Sequence, residues 1–206
     1  MAAITDYDTL QAEVAAWLNR ADLTAEIPGF IQLAEASMNL VVRNNEMIAR
    51  ETSTCDNGYV NMPANWLETI SLMTTGSPPR VLEFVRNEDL NHVRANEVSG
   101  VPRVYTILNN KFFMFPEPTS DLTVEMQYYE KIPALSDSNT TNWLLDKHPG
   151  AYLYGALAQA EPYLKNDERL VVWANLYSAV LEAMRMASER AKYPQGNLHK
   201  RRRTFG

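Results

Sequence analysis

The spacing of hydrophobic positions changes character twice along this chain. From Thr5 to about Asn45 it is helical: Leu10, Val14, Trp17 and Leu18 recur at i, i+4, i+7 and i+8. Thr5 is placed to cap this first helix, with Asp8 beside the positive end of its dipole. Ala21-Asp22-Leu23 breaks the run, and a second helix follows in which Pro28 is tolerated because it falls in the first turn. Its expected buried stripe is Ile27, Phe30, Ile31, Ala34, Met38 and Val41. Leu33 and Leu40 lie off that stripe, and a second apolar line on one helix implies a second neighbour, such as another subunit.

From Met47 to about Ile132 the pattern is that of strands. Asp56-Asn57-Gly58-Tyr59 contains the Asn-Gly pair favoured by type I′ hairpins. Strands are then expected at Trp66 to Met73, Val81 to Arg86 and Val104 to Leu108, with Asn109-Asn110 turning the chain into the aromatic run Phe112 to Phe115. Leu122, Val124, Met126 and Tyr128 alternate with Thr123, Glu125 and Gln127, the mark of a half-buried strand. One short helix, Asn87 to Asn96, is expected to interrupt the strands with Asn87 as its cap.

The helical period returns from Thr141. Pro149 starts a helix whose face carries Leu153, Leu157, Ala160 and Leu164, with Pro162 expected to kink or end it. Asp167 caps the longest helix, which runs to about Tyr193 before Pro194 and Gly196. Its expected seam is Leu170, Ala174, Tyr177, Leu181 and Met184, with Trp17 and Leu181 as core positions. The order helices, strands, helices predicts an α+β fold: a discontinuous helical bundle with an inserted small antiparallel β-sandwich or barrel. The expected boundaries are 1–46 and 140–193 for the helical domain, 47–139 for the β domain, and 194–206 for a flexible basic tail.

Charge refines this picture. The net charge is −6, but nothing acidic follows Glu189, while Arg190, Lys192 and Lys200 to Arg203 are all basic. The first 189 residues therefore carry −12 and the remainder +6. An acidic body with a basic tail argues against a general nucleic-acid binder and marks the tail as an interaction segment. Cys55 is the only cysteine, which excludes an internal disulfide and any site needing several thiolates. No basic region leads into an apolar run at the N-terminus, and no stretch approaches a membrane span, so synthesis in the cytoplasm and no membrane partner are expected.

Catalytic chemistry finds no foothold. His92, His148 and His199 are scattered, and there is no HExxH, GxSxG or glycine-rich phosphate loop. Adjacency in Asp146-Lys147-His148 does not make a triad, and Glu88 and Asp89 read as first-turn helix charges. Tyr128, Tyr129, Tyr152 and Tyr154 lack interleaved Lys and Arg, which favours a contact surface over base stacking. No enzyme, cofactor or metal site is expected, and no catalytic residue is assigned.

Five stretches, in order, resemble the head-to-tail adaptor (portal-binding connector) family of tailed bacteriophages, especially the short-tailed type. They are Asp22 to Asn39, Met62 to Glu68, Gly100 to Ile107, Phe115 to Leu135 and Thr141 to Ala160. The resemblance covers about Ile4 to Ala160 and thins through the last helix. It implies a structural virion protein at the head-tail interface, forming a dodecameric ring under the portal. The implied partners are the portal ring, downstream tail or nozzle proteins and further copies of the chain, with DNA crossing the lumen without specific binding. An acidic body suits such a channel, because attraction to phosphate would slow ejection. Lys200, Arg201, Arg202, Arg203, Thr204 and Phe205 are the expected portal-docking element: arginines for bidentate carboxylate pairs and one aromatic anchor. The competing expectation is a helical interaction scaffold without a phage role, prompted by a TPR-like pair around Tyr154, Ala158, Ala160 and Pro162. It lacks the repeat of about 34 residues that a solenoid needs.

Overall fold

Asp6, and not Thr5, starts the first helix. In the computed structural model, which describes residues 3–55, 58–94, 99–164 and 170–192, α1 spans Tyr7–Leu18. The Asp6 carboxylate accepts from the Thr9 backbone N–H at 2.8 Å, and the Thr9 hydroxyl oxygen accepts from the Asp6 N–H at 3.0 Å. A carboxylate reaches the orphan N–H groups of the first turn better than a threonine one position earlier. Asn19, at φ 52°, ends the helix in the left-handed region.

The second helix, α2, spans Ile27–Val41 with Pro28 in its first turn. Ile27, Phe30, Ile31, Ala34 and Met38 are buried as the period predicts, but Val41 is 63% exposed and Val42 is buried instead. The cause is local. Val42 leaves helical geometry (φ −83°, ψ 130°), so the helical period stops applying at that residue.

After the insertion, α4 (Trp143–Lys147) is capped by Asn142, whose side chain accepts from the Leu145 N–H at 2.8 Å. The α5 helix is described over Pro149–Leu164, with Pro162 inside it, and α6 over Leu170–Ala191. The expected seam of α6 holds in part. Met184 is buried and Tyr177 and Leu181 are half-buried, but Ala174 is exposed, and Trp173 and Ser188 are buried in addition. Trp17 is also only half-buried; its ring lies 5.9 Å from that of Tyr154 and 5.3 Å from that of Trp173. The fully enclosed centre is formed by Leu10, Ile31, Met38, Leu144, Leu145 and Tyr152. Asp167, Tyr193 and Pro194 lie outside the described residues.

The strands form two sheets. Strands β1 (Ile48–Cys55), β3 (Trp66–Thr74), β4 (Arg80–Val81) and β8 (Leu122–Glu130) order as β1-β8-β3-β4. Strands β2 (Tyr59–Asn61), β5 (Glu83–Phe84), β6 (Val104–Leu108) and β7 (Lys111–Phe115) order as β2-β7-β6-β5. Both sheets feed one core of Cys55, Leu72, Tyr105, Phe112, Met114 and Met126. The fold is therefore α+β with an open two-sheet sandwich and no closed barrel, and a purely helical scaffold is ruled out. It is not wholly antiparallel, because β5 pairs with β6 in parallel.

Two local expectations fail for the same reason: the chain changes sheet where a hairpin or a single strand looks sufficient. β1 pairs with β8 and β2 with β7, so the strands on either side of the expected hairpin belong to different sheets, while Asp56 and Asn57 lie outside the described residues. The strand expected over Val81 to Arg86 splits at buried Leu82 into β4 and β5, one in each sheet. The turn expected at Asn109-Asn110 is present, with φ of 50° and 58° as a type I′ turn requires, and it joins β6 to β7. Asn87 also departs from expectation. It opens α3 (Asn87–Arg94), but its side chain donates to the Ile107 carbonyl and accepts from the Thr106 hydroxyl, tying α3 to β6.

The chain divides into two units, Met1–Asn45 with Ala134–Gly206, and Glu46–Pro133. Residues 134–139 thus belong with the helices, held by the backbone N–H of Leu135, which donates to Glu35 at 2.8 Å.

Candidate partner-binding interface

The chemistry of the helical unit centres on Glu35, one turn after Ile31 on the buried stripe of α2. Its Oε1 accepts from the Leu135 N–H at 2.8 Å and from the Tyr152 hydroxyl at 3.0 Å. Asn142 Nδ2 donates to the same Tyr152 oxygen at 2.7 Å. One carboxylate oxygen therefore binds α2, the returning linker and α5 together. Burial pushes the Glu35 carboxyl above its ordinary value, although both hydrogen bonds pull the other way. Tyr152 is driven far above the phenol range, first by burial and then by Glu35, so it stays a proton donor. The sequence reading passed over Glu35. The available signal was a lone acid four residues after Ile31, inside an otherwise apolar stripe.

Gly155 sets how closely the helices meet. A Cβ there would lie 3.1 Å from the Ala34 methyl and 3.1 Å from the Tyr177 ring, so α2 and α6 both close onto α5 at this point. Beyond it α2 and α6 leave a groove of about 280 Å³. Val41, Val42 and Asn44 line one side, and Leu181, Met184 and Arg185 the other. The Arg43 guanidinium donates to the Asn39 and Val42 carbonyls, satisfying the end of α2. Leu33 and Leu40 are exposed, as their place off the stripe requires, at 53% and 79%.

Other residues of interest are dispersed. His92 sits on α3 in the β unit and His148 caps the end of α4 in the helical one, while His199 lies outside the described residues. Cys55 is buried in the sandwich core. Tyr128 and Tyr152 are core residues, whereas Tyr129 and Tyr154 are half-buried. Glu88 and Asp89 occupy the first turn of α3. Among the described residues no group of His, Cys, Asp and Glu is arranged to hold a metal ion, and no helix is long and apolar enough to cross a membrane. Lys200 to Phe205, the expected docking element, lie outside the described residues.

What this architecture offers is apolar contact surface, held by buried polar ties and framed by helix ends. The family model of the SU10 adaptor protein matches residues 5–201. The chain belongs to that family. It is a phage adaptor, from a head-to-tail adaptor family, and a virion component. The match spans both units and continues through α6, where the motif resemblance had thinned. No curated protein matches the chain.

Proposed function

We propose that the adaptor works as a ring-forming structural connector of the short-tailed type. Copies of the chain assemble under the portal as a dodecameric ring, join the capsid to the tail proteins below, and continue the DNA channel. The observation that carries this reading is the family match from residue 5 to residue 201, which takes in both units and not one shared module. Charge supports it. A body of net −12 gives passing DNA little to bind, so phosphate slides without specific contact. The work is structural, and the chain acts without cofactor or catalysis.

The basic C-terminal segment docks to the portal in this reading. Lys200 to Arg203 place four cations in a row, followed by Thr204 and the aromatic Phe205. Arginines pair bidentately with carboxylates, and a single aromatic side chain fills a pocket at modest entropic cost. The test is co-sedimentation of the purified chain with portal rings of its phage, with negative-stain images of the complex. Intact protein is expected to add a tier beneath the portal. Removing Leu198 to Gly206 is expected to abolish binding, and alanines at the four cations should weaken it in a salt-dependent way. Full binding by the truncated chain sinks the docking assignment, and no binding by the intact chain sinks the connector reading.

A further inference from the structure

The helical unit exposes an apolar stripe and a groove of mixed lining, where Val41, Leu181 and Met184 stand beside Arg43, Glu182 and Arg185, on opposite flanks of one helix. The first is convex. Val172, Leu176, Ala179, Ala183 and Met186 recur on α6 at spacings of 4, 3, 4 and 3, and all five are exposed. No charge falls on this line before Arg190 at its end, and the two alanines at its middle let a neighbouring backbone come close. The second surface is concave: the groove between the end of α2 and the other flank of α6. Val42 and Met184 are buried at its floor, while Val41 stands exposed at its rim.

On a helix of 3.6 residues per turn, the stripe points about 160° away from the α6 residues that line the groove. A chain therefore cannot seat its own stripe in its own groove. A spacing of 4 and 3 is what a helix presents when it packs into the cleft between two others. We infer that the α6 stripe of one copy seats in the α2–α6 groove of the next, so that the occupant is a second copy of this chain. This inference rests on the connector reading above and deepens it by naming the two faces that meet.

Geometry favours a second copy joined head to tail over a twofold pair. Two unlike, complementary patches on opposite flanks make a heterologous contact, the kind that propagates from copy to copy and closes into a ring when the rotation allows. Size sets the strength. The stripe is about 21 Å long and a helix about 10 Å wide, a footprint of roughly 200 Å². Stable complexes bury about 800 Å² per partner. One such contact holds isolated copies weakly, whereas copies lined up on a template gain a high local concentration and close together.

Cysteine cross-linking in the full chain tests this, with wild-type protein as control because Cys55 is buried. The variants are Ala183→Cys on the stripe and Val41→Cys on the groove rim, both exposed positions, each checked for folding by circular dichroism. Mixed under mild oxidant at high concentration, they should form a mixed dimer several-fold in excess of either homodimer. One chain carrying both substitutions should give a ladder of oligomers. A dominant Ala183→Cys homodimer overturns the inference, since stripe would then meet stripe. So does the absence of any cross-link, both at the highest soluble concentration and on portal-bound protein. A mixed dimer from a chain that does not bind portal rings keeps this interface and sinks the portal reading alone.

Discussion

Glu35 concentrates the stability argument of the helical unit in one side chain. Its folded value lies above the ordinary one because burial penalises the charged form. The sign follows from linkage. The protonated tie contributes fully below the ordinary carboxylate range and is progressively lost as pH rises through the folded value. Glu35→Gln keeps an oxygen that can accept from both the Leu135 N–H and the Tyr152 hydroxyl, and removes the ionisation. It is expected to flatten the rise of stability toward acid and to equal or exceed wild type at neutral pH. Glu35→Ala leaves two buried donors without an acceptor and should cost about 2–4 kcal/mol. Urea unfolding of the three proteins between acid and neutral pH checks both statements. An unchanged pH profile in Glu35→Gln would show that the carboxyl is not buried as described.

Among the elements, the β6–β7 hairpin has the turn with the most exacting backbone. Asn109 and Asn110 both sit at positive φ, and β6 and β7 pair in register from Leu108↔Lys111 to Val104↔Phe115. Asparagine tolerates the left-handed region, glycine adopts it freely, and a Cβ without a local hydrogen bond costs about 1–2 kcal/mol there. Asn110→Gly should therefore be neutral or slightly stabilising, and Asn110→Ala destabilising by about 1 kcal/mol. The difference in urea midpoint between the two variants reads this directly. Equal midpoints would mean that the turn does not hold the register. The Asn57-Gly58 pair carried the stronger hairpin signature, yet β1 and β2 belong to different sheets. A dipeptide specifies a turn, not the strand that receives the chain after it.

For the whole molecule, the interrupted helical unit should fold without its insertion. Leu10, Ile31, Met38, Leu144, Tyr152 and Leu157 are all buried and all lie outside residues 46–133, as do both partners of Glu35. Joining Asn45 to Ala134 through a short flexible linker is expected to leave a cooperatively unfolding helical protein. Circular dichroism and thermal melting would show it; a molten, non-cooperative product would mean that the β unit completes the helical core.

Periodicity alone determined most of the elements. The stripe of α2 up to Met38, the alternation of β8 and the start of α5 at Pro149 depend on residues within a few positions of one another, and such local geometry is written in the chain. Five framework stretches without an active-site signature likewise carried the family resemblance, and the SU10 adaptor match agrees with it. What only the tertiary structure decided involves partners far apart in sequence. Trp173 is buried where the period favoured Ala174, its indole donating to Glu161 of α5, and Gly155 lets Tyr177 of α6 close onto α5. Glu35 becomes a tie only when Leu135 and Tyr152, each about a hundred residues away, are brought to it. The strand order β1-β8-β3-β4 has the same origin, since backbone hydrogen bonds are alike for every strand and pairing is chosen by which side chains share a core.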